Sequence, residues 1–320
     1  MKGINSGNSG WKAVVDLGSN TFQLLIARFE HGQLIIGFRK KTGVKIGQGG
    51  MEKKEILPDA VKRAISALLE FSIELKQFGL LPSDCKSLAT SAFRNADNKE
   101  NVLEIIQKVT GFKVLVISGE EEANYIFQGV QASRALVEMV PNLIVDIGGG
   151  SVEFILTLGY EPKWKKSFEI GGLRLLEKFH KMDPISKAEI SKLSNYLEME
   201  LMELLKIINI WNPRVLVGCS GSFDTLVEMQ FALNGQALAD VEAFPGYELD
   251  IVDFQALKHK LIPSTLAERL QMPGMIPLRA EMMVVAVLLI DFLIEKMAYP
   301  HIRTSTFALK EGYFFSNYEQ

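Results

Sequence analysis

The chain has 320 residues, 48% of them hydrophobic and 23% charged, with a formal net charge of −3. That length accommodates two domains with their own cores, and the slight acidity excludes binding to nucleic acid through the whole surface, leaving a local basic cleft as the only place for a polyanion. Cys85 and Cys219, the only cysteines, make neither a metal-spaced pair nor a disulfide framework, so a reducing cytoplasm is expected.

Met1 to Gly10 is rich in Gly, Ser and Asn and has no apolar centre, so it reads as a disordered leader and not as a signal peptide. From Trp11 to Phe38 an apolar strand ends near Asp16, a second runs over Phe22 to Phe29, and His31-Gly32 turns into a third. Pro58 then opens a helix on which Val61, Ile65, Leu68, Leu69 and Leu75 keep a mostly helical spacing. A strand over Ser87 to Thr90, a helix over Asn101 to Val109 and a strand over Val114 to Ile117 lead to the acidic run Glu120-Glu121-Glu122. Ser186-Lys-Ala-Glu189 has the capping-box spacing, and Ile190, Leu193, Leu197, Leu204 and Ile208 predict one long helix. Asn234 to Glu248 is expected to be irregular, Arg279 to Glu295 helical, and Ala308 to Phe315 the closing segment. The longest apolar run, Met282 to Ile290, stops at Asp291, short of the roughly 18 residues of a membrane span, and is expected to be a buried helix.

Two stretches share one pattern. Ala13-Val-Val-Asp16-Leu-Gly18-Ser19-Asn20-Thr21 and Leu143-Ile-Val-Asp146-Ile-Gly148-Gly149-Gly150-Ser151 each give an apolar strand, an aspartate, then glycine and hydroxyl residues. Glycines let main-chain N–H groups converge on an anion with no Cβ in the way. A phosphate there would sit beside Asp16, or beside Asp146 and Glu153, and that accumulation of negative charge calls for a divalent cation. The repeat suggests two related domains with a phosphate hairpin each. Val215-Leu-Val-Gly-Cys-Ser220-Gly221-Ser222 is a third small-residue turn, suited either to a phosphate or to a tight strand-to-helix crossing. The three glutamates at 120–122 are either acids favoured at a helix start or, being more than capping needs, catalytic. Arg94 follows the small residues Thr90, Ser91 and Ala92, which would admit a phosphate. The four histidines have no zinc or triad spacing.

Together with Ala89-Thr-Ser-Ala-Phe-Arg94-Asn-Ala-Asp-Asn98 and Ser118-Gly-Glu-Glu-Glu-Ala123, these motifs resemble the exopolyphosphatase and guanosine pentaphosphate phosphatase family of the actin and hexokinase superfamily, over nearly the whole chain. The resemblance implies an α/β protein of two ribonuclease-H-like domains, 11–125 and 126–305, with an active-site cleft between them and a final helix of about 306–320 packed back on the first. It implies a hydrolase that removes a terminal phosphate from polyphosphate or guanosine pentaphosphate. Glu121 would orient the water, Arg94 and Arg279 would clamp phosphate, and Mg²⁺ would be held by Asp16, Asp146 and Glu153. Gly18 to Thr21, Gly148 to Ser151 and Ser220 to Ser222 would bind phosphates. A kinase of a small acceptor and a non-hydrolysing sensor of guanosine tetraphosphate or polyphosphate share the same loops. No nucleic-acid or membrane partner is expected, and a homodimer is left open. Gln23, Asn124, Leu176, Ala308, Lys310 and the stretch Phe223-Asp224 depart from the family pattern, which puts the substrate in question more than the reaction.

Overall fold

The computed structural model describes residues 10–236, 244–298 and 300–319. Most of the Gly-, Ser- and Asn-rich start, and residues 237–243 of the segment expected to be irregular, lie outside them. The chain divides into two units, Met1–Glu122 with Tyr313–Gln320, and Ala123–Gly312.

The first unit is built on a five-stranded sheet in the order β3-β2-β1-β4-β5: β1 Lys12–Leu17, β2 Thr21–Glu30, β3 Gln33–Gly43, β4 Cys85–Ala89 and β5 Val114–Val116. Strands β1 to β3 form an antiparallel meander, and β4 then lies parallel to β1 and β5 parallel to β4, because helical crossovers return the chain to the same edge. In the crossover helix Pro58–Gln77 the buried positions are Ala60, Ala64, Ala67, Leu68, Phe71 and Leu75, whereas Leu69 is exposed. Leu68 and Leu75 are buried as expected, but alanines and Phe71, not Val61, Ile65 or Leu69, complete the inner face.

The second unit repeats the plan. Its sheet has the order β10-β11-β9-β6-β7-β8, with β6 Pro141–Ile147, β7 Val152–Leu158, β8 Glu161–Phe168, β9 Val215–Cys219, β10 Gly246–Leu249 and β11 His301–Ser305. Again a three-stranded antiparallel meander is followed by parallel strands, β9 beside β6 and β11 beside β9. Leu143, Ile144 and Val145 of β6 are fully buried, as an apolar run in a sheet covered on both faces must be. The α/β class and the repeat that the sequence implied are both present.

Three expectations need correction. The long helix over 190–208 is two helices, Lys187–Glu200 and Met202–Trp211, broken at Leu201 (φ −96°, ψ 15°). Arg279 is not helical: residues 277–282 form turns, and the buried helix is Met283–Lys296. Part of the region expected to be irregular is β10, paired with β11. The final helix, Leu309–Tyr318, crosses helix Gly119–Ala132 where a Cβ on Gly312 would come 1.6 Å from the Tyr125 carbonyl oxygen, so only glycine permits that approach.

Candidate active site

In the second unit the turn 148–151 joins β6 to β7 and places Asp146 directly opposite Glu153. Residues opposite one another in a sheet present their side chains on the same face, so the two carboxylates are neighbours. Ser167 on β8, in register with Glu153, donates its hydroxyl to Glu153 Oε1 at 2.6 Å. The turn's carbonyls are bound from behind. Gly172 N donates to Gly148 O (2.8 Å), Leu173 N to Gly149 O (2.8 Å) and Gly171 N to Gly150 O (3.1 Å), and Arg174 Nε adds a bond to Gly150 O (2.9 Å). In a planar trans peptide the N–H lies opposite the C=O. Tying back the carbonyls of 148, 149 and 150 therefore aims the N–H groups of Gly149, Gly150 and Ser151 the other way, as an anion nest requires. The packing is close enough that a Cβ on Gly171 would sit 2.5 Å from the backbone of Gly149 and Gly150.

The third turn belongs to the same unit. Cys219 at the end of β9 pairs in register with Asp146, and Ser220 follows at φ 69°, a left-handed value rarely taken by a non-glycine residue. Its side chain lies beside the Asp146 carboxylate and favours the ionised form. Gly221 and Ser222 begin helix Gly221–Leu233, and the Arg279 guanidinium lies so close on Gly221 that a Cβ there would be 2.3 Å from Nε. Burial pushes the Asp146 carboxyl above its ordinary range, while the Ser220 bond and the Arg279 cation pull it back down. Asp224, also buried, adds a second negative charge nearby. Phe223 does not crowd this turn, despite its bulk: its ring is fully buried against Gly218, which has no Cβ to oppose it.

In the first unit, Gly18 N donates to Thr21 O at 3.1 Å, and Ser19, Asn20 and Thr21 are buried. Here the turn's carbonyls are bound by the loop after β3. Val44 N and Lys45 N donate to Asn20 O (3.0 and 2.8 Å) and Gly47 N to Ser19 O (3.0 Å). Gln23, one of the departures from the family pattern, faces Asp16 across the hairpin and donates to its Oδ2 at 3.4 Å. Arg94 Nη1 bonds Glu122 Oε2 at 2.9 Å and Ile117 O at 3.2 Å, so the acid run supplies its partner. Glu121 stands at the third position of helix 119–132, where its Oε2 accepts from Ser118 N and Ser118 Oγ (both 2.8 Å) while Ser118 Oγ accepts from Glu121 N (3.1 Å). This is a reciprocal cap, and the backbone and hydroxyl bonds from Ser118 hold the Glu121 carboxyl below its ordinary range.

Among the described residues no three His, Cys, Asp or Glu side chains gather into a group able to hold a metal by themselves. The adjacent carboxylates Asp146 and Glu153, with the charge of Asp224 near the first, do suit an ion such as Mg²⁺ that keeps most of its waters. No described helix is long and apolar enough to cross a membrane.

The model of the Ppx/GppA phosphatase family matches residues 25–320. The chain belongs to this family. It is 39% identical to an exopolyphosphatase from Cytophaga hutchinsonii, whose crystal structure matches with a TM-score of 0.91 over 96% of this chain and 97% of that one. A Ppx/GppA member from Aquifex aeolicus matches at 25% identity, with a TM-score of 0.76 over 96% of both chains. A guanosine-5'-triphosphate,3'-diphosphate pyrophosphatase from Vibrio vulnificus is 30% identical over 228 residues, which are 71% of this chain and 45% of that relative. The chain thus spans less than half the length of that curated relative. Three features of this Ppx/GppA chain escaped sequence reasoning. The Ser118-x-x-Glu121 spacing is a capping box readable in the sequence, whereas the Ser167–Glu153 and Ser220–Asp146 contacts depend on strand pairing that no local pattern states.

Proposed function

We propose that this Ppx/GppA chain hydrolyses terminal phosphoanhydride bonds, with inorganic polyphosphate as first substrate and guanosine pentaphosphate as second. The observation that carries this reading is the turn 148–151, whose amides are aimed by tied-back carbonyls beside Asp146, Ser220 and Arg279. Those amides and the Arg279 guanidinium bind phosphate oxygens, and Arg279 offsets the charge that accumulates on them in the transition state. Asp146 and Glu153 are the residues that would hold a Mg²⁺ ion, which would supply positive charge against the transferring phosphoryl group. Glu121 orients the attacking water. Its Oε2 is fixed by Ser118, which immobilises the carboxylate and leaves Oε1 for the water, and in a loose phosphoryl-transfer transition state orientation counts for more than basicity. The 39% identity to an exopolyphosphatase along 96% of the chain supports polyphosphate ahead of the nucleotide.

Phosphate release should be measured on polyphosphates of several lengths and on guanosine pentaphosphate, with and without Mg²⁺. Mg²⁺-dependent release from the polyphosphates is expected. No release from any substrate, with tight binding retained, would favour a second reading, a sensor that binds polyphosphate without turnover. One observation favours that alternative: both the Glu121 carboxylate and Arg94 are already engaged by their own neighbours.

A further inference from the structure

Among the described residues Arg269 is the largest fully buried side chain, and the proposed reaction makes no use of it. Burying a guanidinium is costly unless every arm finds a partner, and its arms reach three separate segments. Nε donates to Ala280 O at 2.9 Å, Nη1 to Ser264 O, and Nη2 to Asp183 Oδ1 at 3.0 Å. Asp183 is itself fixed, since its Oδ2 accepts from Leu266 N at 2.6 Å, at the start of the short helix that carries Arg269. The Ala280 carbonyl belongs to the residue immediately after Arg279. Around it the chain makes a tight turn, with Arg279 N donating to Ile276 O (2.8 Å) and Met282 N and Met283 N donating to Arg279 O (2.9 and 3.1 Å). That turn places the Arg279 guanidinium against Gly221 within electrostatic reach of Asp146.

We infer that the Asp183–Arg269 pair is a positioning device for Arg279. It locks the turn 276–283 through the Ala280 carbonyl, so that the phosphate-binding guanidinium arrives in one orientation. The inference rests on the proposed role of Arg279 in phosphate binding. Asp183 and Arg269 touch no substrate. They act only through the turn, and an error of about 1 Å at a reacting group costs on the order of a hundredfold in rate.

A double-mutant cycle separates positioning from simple structural support, because residues acting through one another are non-additive. Asp183→Asn, which keeps the side-chain shape, should lower kcat/KM for tripolyphosphate about tenfold, chiefly through KM. In an Arg279→Met background the same change should have less than about a twofold effect, although it lowers Tm equally in both backgrounds. Arg269→Gln should behave alike; if it fails to fold, Asp183→Asn carries the test. An equal fold-loss in both backgrounds would overturn the inference. Wild-type protein that releases no phosphate would remove the hydrolase reading alone, and the same cycle read on the Kd for tripolyphosphate would still decide the positioning role. Protein that neither binds nor hydrolyses tripolyphosphate overturns both.

Discussion

The turns 18–21 and 148–151 follow one local pattern, yet the chain braces them differently. In the second unit the helix that follows β8 donates three consecutive backbone N–H groups to the turn's carbonyls, and a third turn brings Ser220 to the aspartate. In the first unit a loop, 44–47, does the bracing, and the aspartate is met by Gln23 from its own hairpin. A helix start is a stiffer brace than a loop, and it adds the partial positive charge of its dipole behind the turn. The difference teaches that the second turn is the more firmly braced of the two, while in the first unit the side chains of Glu121 and Arg94 are each engaged by their own neighbours.

The largest way to break this contrast is Asp146→Asn. Turnover should fall on the order of 10²- to 10³-fold, as for other losses of transition-state electrostatics. Stability should move the other way. Burial raises the Asp146 pKa in the folded state, so the ionised carboxylate costs stability above that pKa and nothing where it is protonated in both states. Asp146→Asn should therefore raise Tm at neutral and alkaline pH, with the gain vanishing as pH falls below the ordinary carboxylate range. Thermal melts against pH check this, and a lower Tm at neutral pH would mean that burial of the ionised Asp146 carboxylate is not a net cost to the fold.

Next in size is Arg94→Met, which withdraws the cation from the buried Glu122 and should cost about 3 kcal/mol by denaturant unfolding, with loss of turnover. If stability were unchanged, the Arg94–Glu122 bond would not be what holds that region. The two turns can then be compared directly. Gly171→Ala drives a Cβ to 2.5 Å from backbone that has no freedom to move, whereas Gly18→Ala meets a single oxygen at 3.0 Å. The first should cost about 2–3 kcal/mol and the second clearly less, on the scale of overpacked sites. Equal costs would erase the difference between the braces.

How much of this was legible in the sequence follows from range. The strand, aspartate and glycine turn at Asp16 and Asp146 lie within a few residues of one another, so each hairpin could be read locally, as could the cap at Ser186 and Glu189. The inner face of helix 58–77 was read only in part: Leu68 and Leu75 are buried, but alanines, weak as hydrophobic signals, occupy positions that Val61 and Ile65 were expected to fill. The break at Leu201 has no Gly or Pro to announce it. Arg269 was invisible: its partners at 183, 264 and 280 meet only once the second unit has folded.

The smallest effect expected is that of Ser118→Ala. It removes the hydroxyl half of the cap, costing about 1 kcal/mol, and lets the Glu121 pKa rise toward its ordinary value. A depressed folded-state pKa stabilises above the unfolded pKa and ceases to do so as pH falls through the folded one, so the deficit should be full at neutral pH and shrink in acid. Urea unfolding at two pH values measures it, and a pH-independent deficit would point to loss of the cap alone.

The most direct test of water orientation by Glu121 is phosphate release from polyphosphate by Glu121→Gln with Mg²⁺ present. Glutamine still fills the capping-box position, so the fold and tripolyphosphate binding should be retained. Release should fall below detection while the melting temperature stays within a degree or two of wild type. Wild-type turnover by that variant would show that Glu121 is only the cap of its helix and that the attacking water is oriented by another group.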